Sequence, residues 1–275
     1  MSLRSAKERN GKFDTRNQLL LRIWDEIQSV QTDFCFPQEL SAYYMSDHWI
    51  QTTRTVLDVG TGNGYFLSKL LEMFPNKDYT GIDISSELME LARLRLEGRA
   101  VDLRNEDYFG HHGVYDFIIM RLFWQHLPED RIGEALRKLE ELTGPGASVL
   151  ISDAYDDVRR FMPDMPAFRA MINAYTRQQA AIGRNRNIVD VLIDWAESED
   201  SWCVGEDIRL ILPSSIHGYR NLFGRIYELW VELFECVGEL EMDFTPAKDE
   251  LGRWSRDEYA FTQAGLRVVR LDRLG

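Results

Sequence analysis

Residues 56–66 read VLDVGTGNGYF, and this stretch decides the fold. A short apolar run containing Val56, Leu57 and Val59 gives way to three glycines in five positions, Gly60, Gly62 and Gly64. The run predicts a buried strand. The glycines predict a tight turn into the helix that GYFLSKLLEMF would form, because no Cβ bars unusual backbone conformations or the close approach of a ligand. Downstream the alternation continues. DYTGIDIS, AVDLRNEDYF, YDFIIMRLF and GASVLISDAYD read as strands, and SELMELARLRLEG and PEDRIGEALRKLEELTG as helices. The last has proline near its start and glycine after its end. Strands alternating with helices predict βαβ units, a mostly parallel doubly wound sheet and helices on both faces over residues 54–157.

Outside that span the patterning is helical. Residues 13–30 place Leu19, Leu20, Ile23, Trp24 and Ile27 at helical spacing, and residues 38–51, with Tyr43, Tyr44 and Trp49, read as a second helix. Beyond residue 157, helices are expected over 168–181, 187–198 and 221–237, and strands over 202–213 and 265–274. The division is then an N-terminal helical cap (1–52), an α/β core (53–157), and a C-terminal part (158–275) whose last two strands complete the sheet while its helices cover the ligand edge.

Composition narrows the partners. The 275 residues carry 32 basic and 45 acidic side chains, a formal net charge of −13. Nucleic-acid affinity rests mainly on neutralising phosphates, so a long polyanion is a poor partner. The acidic stretches at 194–207 and 228–258 read as solvated faces. Cys35, Cys203 and Cys236 are scattered and form no CxxC pair, which argues against a disulfide framework or structural zinc. No apolar run approaches the ~20 residues of a membrane span. The polar N-terminus has no apolar signal core, so the expected location is cytoplasmic.

Two acids give the glycine loop its chemistry. Asp58 precedes it by two residues and suits a ligand bearing positive charge; Asp83 ends the second strand, where an acid accepts hydrogen bonds from ribose hydroxyls. Asp83 as a helix cap is the weaker reading, since Ser85 and Ser86 are better caps. A dinucleotide fingerprint would need glycine at position 65, where Tyr65 stands, which argues against a nicotinamide oxidoreductase.

Asp58-Val-Gly60-Thr-Gly62-Asn-Gly64, then Asp83, Asn105-Glu-Asp107, and YDFIIMR followed by LFWQHLPED together resemble the class I S-adenosylmethionine-dependent methyltransferases over roughly residues 50–155. The resemblance implies a Rossmann-like fold, S-adenosylmethionine as cofactor and S-adenosylhomocysteine as product. It places Asp58, Gly60, Thr61, Gly62 and Gly64 at the methionine part, Asp83 and Ile84 at the ribose, Asp107 with Tyr108 or Phe109 at the adenine, and Arg121 and Leu122 near the transferring methyl. Arg121 has pairing with a neighbouring acid as its alternative role.

His126 is the candidate base, with a structural role at the next helix as the competing reading; His217 has no motif behind it, and His111 and His112 read as an exposed turn. Asp153, Asp156 and Asp157 follow the fifth strand, but Met120 and Arg121 stand where a metal-dependent relative would need an aspartate, so no metal is expected. The same position lacks the Asn/Asp-Pro-Pro-Tyr motif of base-modifying relatives. The expected function is methyl transfer to a small organic acceptor, its atom undetermined, in a chamber lined by Tyr43, Tyr44, Trp124, Tyr155, Phe168, Tyr175 and Tyr219. The competing readings are a non-catalytic cofactor-binding protein and a methyltransferase acting on a protein or tRNA. The helix at 221–237 leaves a homodimer open.

Overall fold

A computed structural model describes residues 18–44, 53–238 and 240–275, the side chains of residues 41–44 excepted. The two helices expected at the N-terminus are one. α1 spans Gln18–Tyr44 and runs through Pro37. A proline inside a helix removes a hydrogen bond and costs on the order of 3 kcal/mol. Here a continuous buried face holds the helix together: Leu20, Ile23, Ile27, Phe34, Cys35 and Phe36 are all buried. Residues 45–52, which include Trp49, and the side chains of Tyr43 and Tyr44 lie outside the described set.

The core follows the expected alternation: β1 (Thr55–Val59), α2 (Tyr65–Met73), β2 (Asp78–Asp83), α3 (Ser86–Arg95), β3 (Val101–Asn105), β4 (Tyr115–Arg121), α4 (Ile132–Leu142) and β5 (Thr143–Ala154). Next come β6 (Arg160–Met162), α5 (Pro166–Ala181), α6 (Ile188–Ser198), β7 (Trp202–Pro213), α7 (Tyr219–Val237), α8 (Thr245–Arg256) and β8 (Phe261–Arg273). The short β6 and the helix α8 were not anticipated. Eight strands form one sheet in the order β3-β2-β1-β4-β5-β8, with β7 and β6 also pairing β8. β1 to β5 are parallel, and β8 lies antiparallel to β5, β6 and β7. The strand order reverses between β1 and β4, and such a switch point opens a crevice at the carboxyl ends of the strands.

The parallel strands read as apolar runs because both faces are covered. Leu57, Ile118, Met120 and Ile151 pack under α4 and α6, while Val56, Phe117 and Ile119 pack under α2. A further apolar body forms where α1 joins α5, α7 and α8 at the ligand edge. There Phe34 meets Phe223 edge-on at 4.3 Å and Tyr219 at 5.0 Å. Among the described residues no helix is long and apolar enough to cross a membrane.

Candidate active site

Gly60, Gly62 and Gly64 all have positive φ, at 74°, 57° and 72°. The loop is stitched to β2, with the amides of Gly60 and Thr61 both donating to the Ile82 carbonyl at 2.9 Å. The glycines do not all serve a ligand. A Cβ on Gly62 would come within 2.5 Å of Gln28 Oε1 from α1, and one on Gly64 within 2.9 Å of the Ala92 Cβ from α3. Gly60 lines the central cavity; Gly62 and Gly64 make room for neighbouring helices.

No local motif signals how firmly α1 closes over this loop. The Asn63 amide donates to Gln28 Oε1 at 2.8 Å, and the buried Asn63 side chain donates to Asp25 Oδ1 at 2.7 Å and Ser29 Oγ at 3.1 Å. Arg95 Nη1 donates to the Asn63 carbonyl at 2.6 Å, and its Nη2 reaches Asp25 Oδ1 at 3.1 Å. Tyr65, the residue that breaks the dinucleotide fingerprint, donates its hydroxyl to Asp33 of α1 at 2.8 Å.

Asp83 is not the cap of α3. Ser85 is, with its Oγ accepting from the Leu88 amide. Asp83 Oδ2 accepts from the Gly62 amide at 2.9 Å and Oδ1 from the Ser85 amide at 2.8 Å, fixing the carboxylate at the cavity wall. Asp58 lies at the base of the loop, buried, and its Oδ2 has no hydrogen-bond partner among the described residues. Burial pushes its pKa up to about 6. An acid so placed needs a donor or a cation, which is the chemistry of an amino-acid ammonium or a sulfonium. Ile84 leaves a large apolar side chain exposed on the same wall. Asp107 caps the short turn Tyr108–Gly110 through the Phe109 amide, and the Tyr108 ring lines the cavity while its hydroxyl donates to the Ala135 carbonyl at 2.9 Å. Asp58, Asp83 and the Tyr108 ring thus line one cavity, and their chemistry (an acid without a donor, a fixed carboxylate and a flat ring) fits S-adenosylmethionine.

Beyond this edge the cavity, about 880 Å³ in volume, extends beneath the C-terminal helices. Arg121 stands on its wall, but Glu39 engages it: Arg121 Nε donates to both Glu39 oxygens at 3.0 Å, and Nη2 to the Gln31 carbonyl at 3.2 Å. Leu122 follows with φ 51°, unusual for a residue with a Cβ. His126 opens onto the cavity and is accessible to water. Partial enclosure by the surrounding protein, and then the cations of Arg184 and Arg186, push its pKa down, so the imidazole is neutral at pH 7.

Several expected liners stand elsewhere. Trp124 and Phe168 are fully buried in the core, Tyr219 is buried against Phe34, and Tyr155 lies off the cavity with Arg209 beside its ring. Phe168 and Tyr219 sit in the first turns of α5 and α7, and period alone does not distinguish a cavity wall from a core. Tyr175 does line the cavity, stacked on Phe234 at 4.8 Å. The expected exposed turn at His111 is also corrected: its ring is fully buried, between Glu106 Oε2 at 2.7 Å and the Tyr115 hydroxyl at 2.9 Å, while His112 is exposed. Asp156 is gripped by Arg159 and Arg186, which hold its carboxyl well below the usual range although burial works the other way.

Comparison with known proteins agrees with this geometry. Residues 31–184 match the family model described as a methyltransferase domain. A malonyl-acyl-carrier-protein O-methyltransferase of Anoxybacillus flavithermus is 24% identical over 131 residues, 45% of this chain and 49% of that protein. The protein of the same description from Neorickettsia risticii is 35% identical over 72 residues, 26% of this chain and 28% of its own length. The aligned stretches thus span about half, or less, of these relatives. In fold the chain is similar to a Bacillus halodurans C-125 protein assigned as a methyltransferase, with a TM-score of 0.53 at 15% identity, over 86% of this chain and 100% of the other.

Proposed function

The chain belongs to the methyltransferase domain family; from that premise we propose that it is an S-adenosylmethionine-dependent methyltransferase that methylates a small organic acceptor, at oxygen, in the chamber beneath α1, α5 and α7. The observation that supports a small acceptor is the continuity of the cavity, which runs from the glycine loop into a chamber walled by Ile27, Phe34, Tyr175, Phe223 and Trp230. The descriptions of the malonyl-acyl-carrier-protein relatives favour oxygen as the acceptor atom.

When bound, S-adenosylmethionine supplies a methyl group already activated by its sulfonium. The residues of this chain position and enclose. Asp58 offers a carboxylate to positive charge, Asp83 offers acceptors to the ribose hydroxyls, and Tyr108, Phe109 and Ile84 give an apolar seat to the adenine. α1 closes the loop side and excludes water. Positioning of this kind can supply ~7–11 kcal/mol of barrier reduction, enough for in-line transfer to an oxygen already ionised. A His126 whose pKa is pushed down by partial enclosure and neighbouring cations is a weakened base, so its place here is on the wall as a neutral ring.

The test is calorimetric titration with S-adenosylmethionine and S-adenosylhomocysteine, then a mass-spectrometric search for methylated product across small acids, phenols and amines. Micromolar binding with a methylated oxygen in the product supports the reading. Cofactor binding with turnover only on a protein or tRNA would overturn it. Asp83→Ala is expected to weaken S-adenosylhomocysteine ten- to a hundredfold, because charge-assisted bonds to both the loop amide and the ribose are lost.

Asp58 sets a pH dependence. An exposed aspartate titrates near 4, so a folded value of about 6 means that the native state takes up the proton first as pH falls. In the free protein this contribution to stability is largest below about pH 4 and is lost as pH rises through 6. Cofactor binding runs the opposite way, since its positive charge needs the carboxylate. Affinity should fall by up to about tenfold per unit below pH 6 in the wild type and stay flatter in Asp58→Asn. Parallel pH profiles for the two proteins would remove Asp58 from the cofactor site.

A further inference from the structure

The charge in the cavity is divided. Asp58, Asp83, Glu106 and Asp107 lie along the cofactor edge, whereas Arg159, Arg184 and Arg186 line the chamber. The carboxylates against those arginines are few. Asp156 takes both Arg159 Nη2 and Arg186 Nε, and Asp153, close to Arg186, is buried with its pKa pushed up to about 7 by burial. Arg184 Nη1 turns to the neutral Gln179 Oε1 at 2.7 Å, and Arg186 Nη1 to the neutral Gln125 Oε1 at 3.0 Å. Arg159 and Arg186 therefore share one firmly ionised carboxylate, Asp156.

Arg159 is the least satisfied of them. Its side chain is 12% exposed, and its Nε and Nη1 are buried with no hydrogen-bond partner among the described residues. The Trp230 ring flanks it with its centroid 5.1 Å away. Buried donors of a charged group left unspent are costly, and in a site screened from water their field acts strongly on any anion nearby. Arg186 stands beside it, with its Nε on Asp156 and its Nη1 on Gln125. Asp156 holds both guanidiniums in place, so these donors are fixed before a ligand arrives.

Resting on the reading of the chamber as the acceptor site, we propose that the acceptor carries an anionic group, a carboxylate or a phosphate monoester, held by Arg159 and Arg186 while its apolar body lies against Tyr175, Phe234 and Trp230. Guanidinium forks match the paired oxygens of such groups. The acidic net charge of the chain does not oppose this, because the arginines are local and the acids at the opposite edge face the cofactor.

The experiment is calorimetric titration of the S-adenosylhomocysteine-saturated protein with 3-phenylpropionate, octanoate and phenyl phosphate, each against a neutral or cationic partner: 3-phenylpropanamide, octanamide, octylamine and phenol. At least one anion should bind at least tenfold more tightly than its neutral partner. Arg159→Gln and Arg186→Gln should each reduce that affinity tenfold or more while S-adenosylhomocysteine affinity stays as in the wild type, which certifies the fold of each variant. Preference for octanoate and phenylpropionate over phenyl phosphate assigns the carboxylate, and the reverse assigns the phosphate. Equal binding of acid and amide, tighter binding of octylamine, no anion binding at millimolar concentration, or unchanged affinity in both variants overturns the proposal. Failure of S-adenosylhomocysteine itself to bind would strike at the underlying assignment of the site instead.

Discussion

Gly62→Arg is expected to abolish binding of S-adenosylmethionine and S-adenosylhomocysteine in calorimetry while leaving a cooperative thermal transition. Gly62 sits at φ 57°, a conformation that costs an L-residue roughly 1–2 kcal/mol. Its new Cβ would lie 2.5 Å from Gln28 Oε1, so Gln28 must leave the Asn63 amide it now accepts. The Arg side chain then has to displace α1 or enter the cavity, and either ends binding. The packing of β1 on β2 and β4 does not pass through Gly62, which is why the fold is expected to survive. Gly62→Ala separates the two causes. Gln28 presents the flexible end of its side chain and can swing aside, so alanine should weaken binding by about the backbone cost, roughly five- to thirtyfold. Removing the obstacle with Gln28→Ala should recover little of it, because Asn63 loses its acceptor as well. Normal cofactor affinity in Gly62→Arg would show that the loop does not hold the cofactor.

The reason that loop was legible in the sequence is that its constraints are local. Strand, glycine turn, helix and the acid at the end of β2 are read from consecutive residues, and the parallel sheet follows from their alternation. β7 was read at its observed ends, Trp202 and Pro213, because an extended run bounded by turns carries its own signal. The two N-terminal helices were a misreading with a clear cause. Pro37 normally interrupts a helix, and only the tertiary burial of Phe34, Cys35 and Phe36 keeps α1 unbroken. The same cause hid most of the chamber. Arg159, Arg184 and Arg186 have no spacing that marks a site; Arg159 precedes β6, which pairs with β8, and Arg184 and Arg186 lie in the turn between α5 and α6, so only the tertiary fold brings them to one chamber. Trp124 and Phe168 were attractive liners by residue type, yet a residue's type does not tell which side of a helix or turn faces the cavity.

Glu39→Ala should produce the largest loss of stability of any single substitution near the site. The Glu39 carboxylate is 2% exposed and lies between Arg121 Nε, at 3.0 Å, and the Ser152 hydroxyl, which donates at 2.5 Å. It joins α1 to the ends of β4 and β5 at a single buried point. Truncating one partner of such a pair leaves the other charge unpaired, which costs ~3–5 kcal/mol. For a chain of this size that lowers the melting temperature on the order of 10 °C. Arg121 is here a positioning residue: its guanidinium, 5.1 Å from the Phe66 ring, fixes the end of β4 where Leu122 takes its strained φ. Loss of Glu39 should therefore also loosen α1 over the glycine loop and weaken S-adenosylhomocysteine binding, although Glu39 is remote from Asp83. The double variant Glu39→Leu/Arg121→Met supplies the contrast, since replacing a buried pair by apolar residues of similar size is often neutral. If it recovers the melting temperature but not cofactor affinity, the ion pair serves to place α1 rather than to stabilise the fold. If it recovers both, apolar packing at this point is sufficient, and the charge of Arg121 has no part in the site.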